Sequence, residues 1–227
     1  MEYNYIVDNF LILIIFAIPL IAQLRVSLNY NKYLTYESKS SLTGFEVARK
    51  ILDSHGLNNI HIVETPGTLS DHYDPSRKVL RLSHNVFHGT SISSMSIAAH
   101  ECGHAIQDKD GYTFMRIRSF IYPIVNVATQ FSYFIILIGI ITAMFKLIMV
   151  GIALTGCGLI FQLVTLPVEF DASKRAKQEL YKLNIASEEE NTGVKKVLGA
   201  AAMTYVAGVL TSILQILRLL YIFNDRD

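Results

Sequence analysis

The 227-residue sequence predicts a mainly helical α+β membrane protein, in which four transmembrane helices carry a small polar unit of helices and a short antiparallel sheet. Two observations lead there. Hydrophobic residues make up 51% of the chain against 17% charged, with a mean hydropathy of +0.35, a balance unusual for a soluble domain. The apolar excess is also gathered into blocks. Residues 6–24, 121–145, 147–166 and 197–217 each form a mostly apolar run of about 19 residues or more, enough to cross a bilayer as a helix. The chain therefore divides into an N-terminal anchor (1–24), a polar unit (25–120), a transmembrane hairpin (121–166), a polar helix (167–196) and a last span with its tail (197–227).

Each element has its own signal. The leader of the first block carries Glu2 and Asp8 and no Lys or Arg, and no small-residue cleavage site follows, so it reads as a retained anchor rather than a secretory signal. Thr43 can cap an amphipathic helix with Phe45, Val47, Ala48, Ile51 and Leu52 on its apolar side, closed by Gly56. Residues 60–64 and 69–73 have strand character, and Asp74-Pro75-Ser76-Arg77 makes a turn before the alternating strand 79–82, together a small antiparallel sheet. Thr90 or Ser91 can start a helix through Met95, Ile97, Ala98 and Ala99 that Gly111 ends. Glu188, Glu189 and Glu190 read as a solvated cap before the last span.

In the spans, Gly151, Gly156, Gly158, Gly199 and Gly208 allow close helix approach, within one chain or in a dimer. Thr204, Thr211, Ser212 and Gln215 form a polar stripe that either neighbouring helices satisfy or a water-filled cavity uses. Four spans place 25–120 and 167–196 on one side of the membrane. That side holds 17 of the 20 Lys and Arg, so the positive-inside rule makes it cytoplasmic and the protein a multi-pass protein of the cell membrane. Cysteine usage agrees with a reducing compartment. Cys102 and Cys157 lie in a helix and a span, with Cys102 read as a small buried filler. A net charge of +1 gives no sign of a nucleic-acid partner, and no repeat or nucleotide-binding glycine loop is present.

The chemistry is concentrated in His100-Glu101-Cys102-Gly103-His104. Residues four apart share a helix face, so two imidazoles can meet one zinc ion while Glu101 flanks them as general base. Catalytic zinc takes three protein ligands and leaves a position for water, so a third ligand is required on the same side of the membrane. Glu169 follows Leu166-Pro167-Val168 there, with Asp171 two residues further as its near competitor. Asp110 stands six residues after His104, where metzincin-type sites have their third ligand, but that layout needs a glycine at 107 and the residue is Gln107. His72 is a candidate stabiliser of the developing oxyanion, with weaker cases for His84, His88, His55 and His61 and for Tyr73, Tyr112 and Tyr205.

Four blocks, 69–75, 79–83, 98–107 and 166–173, in this order and with the four spans, resemble the YugP-like bacterial membrane zinc metallopeptidases, which are distantly similar to the HtpX-type peptidases. The resemblance covers nearly the whole chain. It implies a zinc-dependent membrane peptidase with His100, His104 and Glu169 as ligands of one Zn2+ per chain and Glu101 as base, while the place of Glu169 just beyond a span points to a membrane-associated protein or peptide as substrate. The HtpX-type pattern continues with Ala and Asp three and four residues after that glutamate, and here those places hold Ala172 and Ser173. Ser173 or Asp171 would then orient a ligating histidine. The expected activity is a glutamate-type (gluzincin) endopeptidase acting on membrane or membrane-proximal proteins from the cytoplasmic face. A non-catalytic metal-binding adaptor or quality-control scaffold, and an intramembrane protease, are the alternatives. The flanking Ser93, Ser94, Asp108, Lys109 and Asp110 argue against the last of these.

Overall fold

The computed structural model describes residues 5–224, so Glu2 of the leader lies outside the described residues. In chain order the elements are α1 (Tyr5–Leu34), α2 (Gly44–Ser54), β1 (His61–Thr65), β2 (His72–Asp74), β3 (Val79–Ser83), α3 (His84–His88), α4 (Ile92–Lys109), α5 (Thr113–Ile141), α6 (Phe145–Lys182) and α7 (Asn191–Asn224). A 3-10 turn at Glu188–Glu190 precedes α7. Among the described residues α1, α5, α6 and α7 are the helices long and apolar enough to cross a membrane, and the chain is a multi-pass membrane protein of α+β class. It folds as two compact units. One is built from Met1–Gln23, Arg116–Leu166 and Thr204–Asp227, the other from Leu24–Met115 and Pro167–Met203.

In the first unit large apolar side chains such as Phe10, Phe16, Phe120, Ile124 and Phe134 are exposed, as lipid-facing residues are. The apolar run 121–145 is not one helix: α5 stops at Ile141, Ala143 takes φ 53°, and the Met144 N–H donates to the Gly139 carbonyl. This turn is itself apolar, so hydropathy alone runs straight through it. Glycine then lets the hairpin close, since a Cβ on Gly151 would stand 2.4 Å from the Ile136 side chain. Asp8, read from sequence as part of a leader, is buried and accepts two hydrogen bonds from Arg218, at 2.7 and 3.1 Å, joining α1 to α7. The polar stripe of α7 finds neighbours: Ser212 bonds Gln162 at 3.0 Å and Gln215 bonds the Tyr133 hydroxyl at 3.0 Å. These residues also border a cavity of about 260 Å³ reached by Thr129, Thr155 and Thr211.

The second unit centres on α2, α4 and the sheet. Thr43 and Glu46 form a reciprocal capping box, with the Glu46 N–H to Thr43 Oγ1 at 3.2 Å and the Thr43 N–H to Glu46 Oε2 at 2.8 Å, fixing where α2 starts. Val47, Ala48, Ile51 and Leu52 are then wholly buried together with Met95, Ala98, Ala99 and Cys102 of α4. Gly56 leaves the helix at φ 67°, a conformation that suits glycine.

The sheet departs from the all-antiparallel expectation. Its order is β1-β3-β2, with β2 antiparallel to β3 but β1 parallel to β3, so the sheet is mixed. The reason lies in the connections. A tight turn joins β2 to β3, with Asp74 Oδ1 accepting the N–H groups of Ser76 and Arg77. The longer 66–71 segment carries the chain past β3's place to the far edge first. Alternation of side chains reports which face is buried and is blind to strand direction. The second strand is also shorter than expected, 72–74 rather than 69–73, because Leu69 adopts φ 56° and cannot be extended. One of the three glutamates before α7 departs from a solvated cap as well: Glu190 is 6% exposed and accepts the N–H groups of Lys39 at 2.9 Å and Ser187 at 2.7 Å.

Candidate metal centre

Ser91 caps α4 by accepting the Ser94 N–H at 3.1 Å, and the helix then runs unbroken through the motif. Helical spacing puts the rings of His100 and His104 on one face, with centroids 4.8 Å apart and edge to face. Between them Gly103 faces α6. A Cβ there would stand 2.6 Å from the Ala172 carbonyl oxygen, so only a hydrogen in that place lets the two backbones come this close. The close approach delivers Glu169, one turn before Ala172. Its Oε2 lies 3.3 Å from His100 Nε2 and 3.5 Å from His104 Nε2, and the side chain is almost fully enclosed.

These distances fit zinc. Donor atoms bound at ~2.0–2.1 Å in tetrahedral geometry stand about 3.3–3.4 Å from one another. The charge fits as well: burial pushes the Glu169 carboxyl up, but hydrogen bonds from His100 and His104 outweigh it and hold the group well below the usual carboxylate range. An enclosed carboxylate kept ionised between two imidazoles is the complement of a cation.

The far sides of the rings are also held. His104 Nδ1 is 3.0 Å from Gln107 Oε1, while Gln107 Nε2 donates to the Val168 carbonyl at 2.8 Å and to Asp171 Oδ2 at 2.9 Å. Two acceptors on one end of the amide mark that end as the NH2. The oxygen therefore faces His104 and accepts from its Nδ1–H, the arrangement that leaves Nε2 as the nitrogen available to a metal ion in place of its contact with Glu169. Asp171 is fixed in turn by Arg175 Nε at 2.6 Å, and Arg175 Nη1 reaches Asp110 Oδ2 at 2.6 Å. His100 Nδ1 lies 3.2 Å from Ser173 Oγ.

Glu101 is 7% exposed. Burial raises its pKa to about 7, with the charges of Glu169 and Asp71 adding to the rise and His100 and the donated Tyr73 N–H opposing it. That N–H comes from β2, which Tyr73 pins to α4 through its hydroxyl bond to Asp108 at 2.7 Å. Asp71, just ahead, accepts the Ser83 N–H at 2.7 Å and so ties the start of β2 to the end of β3.

The structure thus brings His100, His104, Glu169 and Ser173 into one cluster with Glu101 beside it. Asp171 meets Gln107 and Arg175 rather than an imidazole, and Asp110 is turned to Arg175. His72 is exposed, its Nδ1 2.9 Å from the Ser70 carbonyl oxygen. Gln107 is the residue that sequence reasoning passed over, weighed only as the wrong residue for a metzincin turn. The one sequence hint was its position, three residues after His104 on the same helix face; its complete burial and its bonds to another helix are set by the fold.

A two-helix His-His-Glu centre in a chain with four apolar helices defines a class, and the chain belongs to the family described as "Putative neutral zinc metallopeptidase", which matches residues 9–224. It is 46% identical over 207 residues, 91% of this chain and 92% of the relative, to the "Putative membrane protease YugP" of Bacillus subtilis (strain 168). No solved structure matches the chain. The resemblance read from the four sequence blocks is therefore shown, and with it a family of zinc peptidases.

Proposed function

We propose that the protein is a zinc-dependent endopeptidase of the glutamate type, with His100, His104 and Glu169 holding the metal and Glu101 acting as general base. The observation that carries this reading is the convergence of two Nε2 atoms on one enclosed Glu169 oxygen beside a buried second carboxylate. A bound zinc supplies Lewis acidity, polarising the scissile carbonyl and acidifying water. Glu101 takes the proton of the attacking water and returns it to the leaving amine. Gln107 and Ser173 keep the imidazoles aimed, and the Tyr73 N–H keeps Glu101 in place.

Substrates in this reading are membrane or membrane-proximal proteins, because Glu169 stands three residues past the apolar run that ends at Leu166. The cytoplasmic face is assigned on the concentration of 17 of 20 Lys and Arg in 25–120 and 167–196. The test uses full-length protein in detergent and an unfolded protein substrate. Wild type should cleave it, a chelator should stop cleavage, and Glu101→Gln should bind zinc yet lose activity. Equal activity in the two proteins, or none in either with zinc bound, removes the enzymatic reading and favours an adaptor.

A further inference from the structure

A second group of metal-binding side chains stands outside the catalytic cluster. Glu64 of β1 meets both histidines of α3, with Oε1 2.6 Å from His84 Nδ1 and Oε2 3.0 Å from His88 Nε2. One donor atom from each residue lies within 4.8 Å of the other two. The histidines are four apart, the spacing that places the catalytic pair on one helix face, and their rings stand 4.9 Å apart.

The group is held from behind rather than hanging free. Glu64 is fixed by the register of the sheet, where it pairs with Leu82, and α3 begins directly after β3 at His84. His88 rests against Phe87 at 4.8 Å between ring centres, and Phe87 against Phe45 of α2 at 5.0 Å. Both carboxylate oxygens of Glu64 face a ring nitrogen, one on each histidine, so the three side chains already converge on one point. All three side chains are open to solvent, which distinguishes this group from the enclosed catalytic one.

We propose that Glu64, His84 and His88 form a second, exchangeable site for a borderline divalent transition metal such as Zn2+, clamping β1 to α3 at the sheet edge. Two imidazoles and one carboxylate select zinc, nickel or copper over calcium or magnesium, which prefer all-oxygen shells. Binding replaces the protons shared between the imidazoles and Glu64 with the metal, and water completes the shell. The proposal is independent of the catalytic reading, because neither site shares a residue with the other.

The experiment titrates Zn2+ into metal-stripped, full-length protein in detergent, purified through a histidine-free tag, and follows heat of binding and the visible absorption of Co2+ in parallel. Wild type should take up two equivalents. His84→Ala with His88→Ala should take up one and keep peptidase activity at saturating zinc, whereas His100→Ala with His104→Ala should retain the other. Glu64→Gln should weaken the second equivalent at least 10-fold while Mg2+ and Ca2+ fail to compete. The proposal is overturned if the His84 and His88 double variant binds as much metal as wild type, or if the His100 and His104 double variant binds none. A wild type that keeps the surface equivalent but lacks the His100 equivalent would instead defeat the catalytic reading alone.

Discussion

Single side chains divide the work at the candidate centre. Glu101→Gln keeps the shape of the site but removes the proposed base, so kcat should fall by about 10²–10⁴ with zinc content unchanged. Gln107 touches no substrate in this reading; it fixes the His104 tautomer. Gln107→Ala should cost about 10–100-fold in zinc affinity, read by competition with a chromogenic chelator, and an unchanged affinity would remove its positioning role. Ser173→Ala should weaken the hold on His100 in the same direction. Away from the centre, burial pushes the Glu190 carboxyl up, but the N–H groups of Ser187 and Lys39 outweigh it and hold it below its ordinary value. A depressed folded-state pKa adds stability that is complete above about pH 4.3, the unfolded value, and is lost as pH falls through the lower folded one. Glu190→Gln should therefore flatten the acid side of the stability curve, and a curve that keeps its wild-type slope there would contradict the assignment. The pairing of His100 with His104 was legible in sequence because i and i+4 fall on one face by local geometry alone. Gln107 was not, since its partners are the Val168 carbonyl and Asp171, and both arrive from another helix.

At the scale of elements the decisive contact is α4 against α6. Gly103→Ala would place a methyl 2.6 Å from the Ala172 carbonyl oxygen, and both helices would have to part. Overpacking of this kind costs about 1–3 kcal/mol, and the displacement should carry Glu169 out of reach of the imidazoles. The expected result is a protein that still unfolds cooperatively, with a lower melting temperature and much weaker zinc binding; full zinc affinity would show that the approach is not required. Helices and spans were legible because period and hydropathy are carried by each segment alone. Thr43 and Gly56 marked the ends of α2, and the Thr90-Ser91 pair the start of α4, for the same reason; the structure gives the cap to Ser91. What escaped was set by pairs of segments. The parallel pairing of β1 with β3, the turn at 142–144 and the burial of Glu190 each depend on a partner that no single window of sequence contains.

For the whole molecule, the distribution of Lys and Arg makes orientation testable. A reporter fused near residue 146 should read outside and one near 190 inside, and the reverse pattern would move the centre to the other face. The membrane unit has its own staple in Asp8 and Arg218. Asp8 is buried and Arg218 partly so, and neutralising one leaves the other unpaired, so Asp8→Asn should lower thermal stability in detergent without altering zinc stoichiometry. The proposed third ligand would also impose an order of events on biosynthesis. Glu169 follows His104 by 65 residues, with two lipid-seeking segments between them. On the proposed ligand set, a half-made chain emerging from the ribosome would hold both imidazoles without their carboxylate, so it would have no cutting power until the third span had been synthesised, and would be kept from attacking its own unfinished neighbours.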